Sequence, residues 1–278
     1  MTVFVKKYYQ PLILIGLSFA FYWPVLVDLS ADWYYDQNYS HGFLIPPVSI
    51  ALFCMTSRKF DDDKPAIIAG LTVIAAALAL LIVGTAGAEY FTSRVSFVAL
   101  LAGIALLYLG IPNVKRSWFA FFFLLFMIPI PNIIYTTLTI PMQLFASKVT
   151  IALLHAASVP SDLNGNIIFL PGYPLEVSEA CSGLRSLFSL MALSLLVGYL
   201  SIGKPWPTLI LAILTFPIAI TANIFRIFVT ALLAYAVSPE IAEGFLHTLS
   251  GLTVFIVALT MILFARGAII WVNARWRF

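Results

Sequence analysis

The stretch Ala66-Ile67-Ile68-Ala69-Gly70-Leu71-Thr72-Val73-Ile74-Ala75-Ala76-Ala77-Leu78-Ala79-Leu80-Leu81-Ile82-Val83-Gly84-Thr85-Ala86-Gly87-Ala88 carries no ionisable side chain. About 20 mainly apolar residues suffice to cross a ~30 Å hydrocarbon core. Residues 66–88 therefore predict a transmembrane helix. Working outward, similar apolar runs occupy 11–29, 43–57, 95–111, 118–138, 186–203, 207–237 and 251–270. Together they predict an all-α polytopic membrane protein with eight spans and a single integral membrane domain over residues 1–278. Composition agrees. The 278 residues are 62% hydrophobic and 10% charged, with mean hydropathy +1.02. A water-soluble domain carries roughly 25% charged residues. A disordered chain, a disulfide scaffold and a free nucleic-acid binder are excluded. The net charge of +3 points to no polyanionic partner.

The basic residues orient the spans. With the N-terminus inside, Lys6, Lys7, Arg58, Lys59, Lys64, Lys115, Arg116, Lys204, Arg266, Arg275 and Arg277 face the cytoplasm, 11 of 15. The opposite face takes Asp28, Asp32, Asp36, Glu89, Asp162, Glu176, Glu179, Glu240 and Glu243. Both termini are expected inside. Lys6 and Lys7 before the first run resemble a signal-peptide start, but no small-residue cleavage site follows. Residues 139–159 are apolar enough for a ninth span. That reading would send Lys204 outward, so the segment is expected to lie in the outer interface or to re-enter, with Lys148 snorkelling. The loop 160–181 is rich in turn formers, and Ile167–Leu170 suggests a short hairpin.

In so apolar a chain, an ionisable residue within or beside a span is a functional candidate. Cys181, in Glu179-Ala180-Cys181-Ser182-Gly183-Leu184-Arg185-Ser186, falls at the start of a span. Unpaired amides at a helix N-terminus and Arg185 one turn on would stabilise a thiolate. The competing reading is a small buried residue at Cys181 and a lipid-phosphate anchor at Arg185. Arg226, in Asn223-Ile224-Phe225-Arg226, is costly against lipid and needs a partner, a role in catalysis or a snorkelling position. His247 precedes the last span on the same outer side and suits acid–base work, as does His41 in Tyr39-Ser40-His41-Gly42-Phe43. Either histidine could instead be an interfacial hydrogen-bonder. His155 reads as structural, and Cys54 as a packing residue. No phosphate-binding loop, dinucleotide fingerprint or zinc ligand set is present. A thiol, a cation and an imidazole at one membrane face suit acyl transfer.

These motifs resemble the exosortase/archaeosortase family of membrane-embedded transpeptidases. The likeness covers most of the chain. It rests on Glu179 to Arg185, on Asn223-Ile224-Phe225-Arg226, on His247 followed by Gly251, and on Tyr39 to Leu44 with Pro46. Histidine in third place, where archaeal relatives have arginine, points to the bacterial exosortases. No appended soluble domain is expected, since eight residues follow the last span.

The resemblance implies a cysteine peptidase or transpeptidase with Cys181, Arg226 and His247 as catalytic residues. Glu179, Ser182, Arg185, Asn223 and His41 are the expected substrate-binding or supporting residues. Substrates of the family are exported membrane-anchored proteins. Each ends in a Pro-Glu-Pro-like motif, one transmembrane helix and an arginine-rich tail. Cleavage through a thioester would pass the protein to an acceptor, at the periplasmic face of the bacterial inner membrane, in cells that make exopolysaccharide. The motif's acidic residue would meet Arg185 and Arg226. No cofactor, metal or nucleic acid is expected. The alternative is a polysaccharide export or polymerisation component, or a small-solute transporter, without thiol chemistry. The basic-residue bias sets a sorting-signal helix of this kind with its tail inside and its motif outside.

Overall fold

The computed structural model describes residues 2–61, 64–177, 184–238 and 245–276. The chain divides into two compact units, Met1–Pro131 and Asn132–Phe278. Among the described residues six helical stretches are long and apolar enough to cross a membrane, or seven if one bent pair counts as a single span. Eight were expected, and the differences lie in four places, one of them the expected span 186–203, where Ser186–Ser201 is apolar but shorter than the others.

In the first unit the run expected at 11–29 is that bent pair. Helix α1 (Thr2–Phe21) and helix α2 (Trp23–Tyr35) meet at 68°. Pro24 in the first turn of α2 cannot continue an incoming helix, because it lacks an N–H and its ring strikes the preceding turn. Tyr22 at the bend is fully buried, and its hydroxyl shares a 3.0 Å hydrogen bond with Ser96. A short 3-10 turn (Ser40–Leu44) leads into α3 (Ile45–Ser57).

Helices α4 (Ile67–Ala86) and α5 (Tyr90–Arg116) form a close hairpin. A Cβ on Gly70 or Gly84 would come within 2.7 Å of the backbone of Leu107 or Ser93. Small residues of this kind let membrane helices approach backbone to backbone. Helix α5 runs past the expected 95–111 but breaks at Gly110, whose φ of 78° is readily adopted only by glycine. A short helix α6 (Trp118–Leu124) and a 3-10 turn (Leu125–Met127) complete the unit.

The expected span 118–138 is therefore not continuous. Ile128-Pro129-Ile130-Pro131 interrupts it, since the residue before a proline is driven from the helical region. The second unit begins with α7 (Asn132–Ala156), which absorbs most of the segment expected to lie at the interface. It is long and apolar enough to cross, with a mean hydropathy of 1.4 over an 18-residue window. One face is a buried polar stripe. Tyr135, Thr139, Gln143, Ser147 and Thr150 are all 7% exposed or less and share one face at helical spacing. Thr139 and Ser147 return their hydroxyl protons to the carbonyls of Tyr135 and Gln143.

The loop holds more structure than the expected hairpin. Strands β1 (Asp162–Asn164), β2 (Ile167–Leu170) and β3 (Tyr173–Glu176) form an antiparallel sheet in the order β1-β2-β3. Leu163 faces Ile168, which faces Leu175. Helices α8 (Leu184–Ser201), α9 (Pro205–Ala236) and α10 (Phe245–Trp276) follow. Helix α9 packs against α7, α8 and α10.

Candidate functional site

Helix α9 is 32 residues long, about 48 Å at 1.5 Å per residue. Its inner face is made of small and short polar residues. Thr215, Ala219, Ala222 and Asn223 are all 3% exposed or less. A buried amide in such a seam needs hydrogen-bond partners, and Asn223 is engaged by its surroundings. Arg226 follows one turn later. Residues three apart are neighbours on a helix surface, so Asn223 and Arg226 form a polar pair on one side of α9. Arg226 is half-buried and likewise engaged.

The sheet is fixed beside this turn of α9. Ile168, Leu170 and Val177 share one buried cluster with Ala146 and Leu154 of α7 and with Ile227, Ala231 and Ala234 of α9. Ile224 and Phe228 pack on its margin. Ile224 and Ile227, on either side of Arg226 in sequence, thus pack with the sheet residues. Val177, the last described residue before the cysteine motif, is 1% exposed. Its amide donates to the Asn166 carbonyl at 2.9 Å, and its carbonyl accepts from the Asn166 side chain at 3.2 Å. His155 contacts the Ser161 carbonyl at 2.8 Å and ties the end of α7 to the start of the sheet, the structural role read from the sequence.

The other expected site residues divide as follows. Glu179, Cys181 and Ser182 lie outside the described residues. Arg185 is in the first turn of α8 and His247 in the first turn of α10, where the structure describes the backbone alone. Helix α10 packs against α8 and α9. Its buried stripe is Val254, Ala258 and Ile262. Position 247 precedes Val254 by seven residues, two helical turns. Cys181, Arg185, Asn223, Arg226 and His247 all belong to the second unit by sequence.

His41 belongs to the first unit, half-buried in the 3-10 turn. Its ring is hydrogen-bonded to backbone groups of Phe126 and Asn38. The next residue, Gly42, is buried under the Trp33 indole, and the space of a Cβ there is already taken by that ring. Trp33 donates its indole N–H to the Met127 carbonyl at 2.7 Å. The Tyr39-Ser40-His41-Gly42-Phe43 motif thus knots α2 to the 3-10 turn Leu125–Met127. Cys54, expected to pack, is an exposed free thiol on α3, on a side of the helix that no other element of its unit covers.

Two features escaped the sequence reading. One is the polar stripe of α7, which faces the same seam as Asn223. Beside it Pro141, Met142, Phe145, Ala146, Ile220 and Asn223 line an open cavity of about 190 Å³. The other is an ion pair in the first unit. Arg94, 4% exposed, meets Asp32 at 2.7 Å and lies 5.5 Å from the Tyr90 ring. Nearby, Glu89 caps α5 by accepting from the amides of Phe91 and Thr92. The hydrogen bonding from Thr92 is the largest influence on its carboxyl and holds it below the usual carboxylate range. Among the described residues no three of His, Cys, Asp and Glu come together as metal ligands.

The family model of the transmembrane exosortases (exosortase EpsH) matches residues 33–264. No curated protein and no solved structure matches the chain.

Proposed function

Because this chain belongs to the transmembrane exosortase family, we propose that it is a membrane cysteine transpeptidase acting on exported proteins with a C-terminal sorting signal. The thiolate of Cys181 attacks a peptide carbonyl of the signal, and the new C–S bond gives a tetrahedral oxyanion. Arg226 stabilises that charge as it develops. His247 gives a proton to the departing amine as the C–N bond breaks. A thioester remains, and an acceptor nucleophile resolves it, regenerating the thiol. Arg185, with Glu179 and Ser182 beside the nucleophile, reads the acidic residue of the signal. Asn223 orients Arg226. The basic-residue bias puts this site at the periplasmic face of the inner membrane.

The observation that carries the reading is the buried cluster that Val177 shares with Ile227. Cys181 follows Val177 by four residues, and a fully extended chain of that length reaches at most about 14 Å. Arg226 is the immediate neighbour of Ile227. The nucleophile and the cation are therefore tethered to one buried cluster from two distant parts of the sequence. Position 247, in the first turn of α10, which packs against α8 and α9, supports a third contribution from the same unit. His41 holds backbone at the Trp33 knot, which supports His247 as the proton carrier.

The test is processing of a substrate protein in membranes. Cys181→Ala is expected to insert normally and to leave uncut precursor, while Cys54→Ala cuts as the wild type does. Wild-type cleavage by Cys181→Ala would favour a transport or export role without thiol chemistry.

A further inference from the structure

The described helices of the second unit lack a carboxylate, and its described acids, Asp162 and Glu176, lie in strands β1 and β3. Its cations are less evenly spread. The turn from α8 to α9 carries Lys204, exposed, at the N-cap of α9. Arg266 of α10 reaches this turn and donates its Nε–H to the Ser201 hydroxyl at 2.6 Å. Ser201 in turn donates to the Val197 carbonyl, so the guanidinium is seated on the end of α8. Further along α10, Arg275 lies 5.2 Å from the Trp271 ring. Trp271 is 61% exposed, and Trp206 beside Lys204 is 74% exposed. Among the described residues no carboxylate pairs with Arg266 or Arg275.

Exposed indoles collect at the headgroup level of a bilayer, where an amphipathic ring is half in lipid and half in water. Cations at that level attract anionic headgroups. The helix start itself contributes little. Pro205 and Pro207 remove two of the amide donors that would otherwise hold an anion. Recognition must come from side chains. We propose that Lys204 and Arg266 form a clamp for the phosphodiester headgroup of an anionic phospholipid, with Trp206 and Trp271 marking its depth. The clamp is separate from the proposed catalytic site. Arg226 lies 22 residues from Lys204 along α9, about 33 Å. Ser201 is a positioning residue that fixes the Arg266 guanidinium before the lipid arrives.

The whole protein would be placed in nanodiscs of equal phosphatidylglycerol and phosphatidylcholine, and lipids retained after detergent extraction counted by native mass spectrometry. The wild type is expected to retain phosphatidylglycerol preferentially. Each surface cation is worth about fivefold in anionic-lipid binding. The pair Lys204→Gln with Arg266→Gln should therefore lower the preference on the order of twentyfold. Ser201→Ala should lower it about twofold to fivefold by freeing one cation. The charge-preserving pair Lys204→Arg with Arg266→Lys should retain it. Equal retention of both lipids by the wild type would overturn the proposal. So would an undiminished preference in the neutral pair, or a charge-preserving pair that loses as much as the neutral one. Displacement of the lipid by millimolar inorganic phosphate would assign the site to a free anion instead.

Discussion

The two units treat charge in opposite ways. In residues 1–131 acids and bases meet, one pair between helices α2 and α5 and one between the end of α5 and the segment after α3. Arg94 on α5 pairs with Asp32 on α2, and Arg116 pairs with Asp61 at 2.6 Å while Asn113 bridges the same two segments. The polar motif around His41 is likewise consumed by the Trp33 knot. In residues 132–278 the described helices carry Lys148, Arg185, Arg226, Arg266 and Arg275 with no carboxylate among them. A charge neutralised within its own scaffold stabilises a fold. Cations left without acids on their own helices are suited to meet negative charge that arrives with a substrate, a transition state or a lipid.

The largest effects should fall on activity in the second unit. Arg226→Lys keeps the charge but not the planar fork of donors. Cleavage is expected to fall about 100-fold to 1,000-fold, the usual cost of losing an oxyanion donor, while substrate still co-purifies. Arg185→Lys should instead weaken substrate retention and leave single-turnover cleavage of bound substrate within about threefold. Cleavage abolished in Arg185→Lys with binding intact would reverse the two roles.

In the first unit the same class of substitution should act on stability. Asp32→Asn leaves Arg94 buried without its counter-ion, at a cost of about 2–4 kcal/mol. The measurement is thermal unfolding in detergent, with cleavage per folded molecule unchanged. A loss of cleavage without a loss of stability would place the Arg94–Asp32 pair in the chemistry and break the contrast between the units. Gly42→Ala forces a methyl into the Trp33 ring, and about 1–3 kcal/mol of destabilisation is expected from such overpacking.

The smallest effect is a pH dependence at Glu89. Its carboxyl titrates below the ordinary 4.5, so it stabilises the fold above that value. The contribution fades as pH falls below 4.5 through the lowered folded value. Glu89→Gln should remove this dependence with a loss under about 1 kcal/mol, the scale of an exposed helix cap. Melting temperatures of the two proteins compared from pH 7 to pH 3 would show it as converging curves.

Much of this was legible in the residues alone. The run at 66–88 announced a membrane helix, and the ordered set of motifs from Tyr39 to Gly251 announced the family whose model matches residues 33–264. What escaped notice shares a physical cause. Averaged hydropathy does not distinguish a polar side chain facing protein from one facing water, so the stripe from Tyr135 to Thr150 went unread, while the basic-residue bias alone made residues 139–159 look interfacial. Nor does it register a local bend. Pro24 and Pro129 split runs that are apolar throughout. The hairpin at Ile167–Leu170 was readable from its turn formers, but the third strand depends on burial against α7 and α9. His41 drew attention as a base because a motif shows which residues are unusual, not what they touch.

Cys181 chemistry is the claim on which the functional account turns. Incubating the reconstituted enzyme with a sorting-signal substrate, quenching in acid and mapping the protein by mass spectrometry would address it directly. The expected result is an acyl adduct on Cys181 that hydroxylamine releases, absent in Cys181→Ala. Cleavage without any adduct on that thiol, or an adduct confined to Cys54, would contradict it.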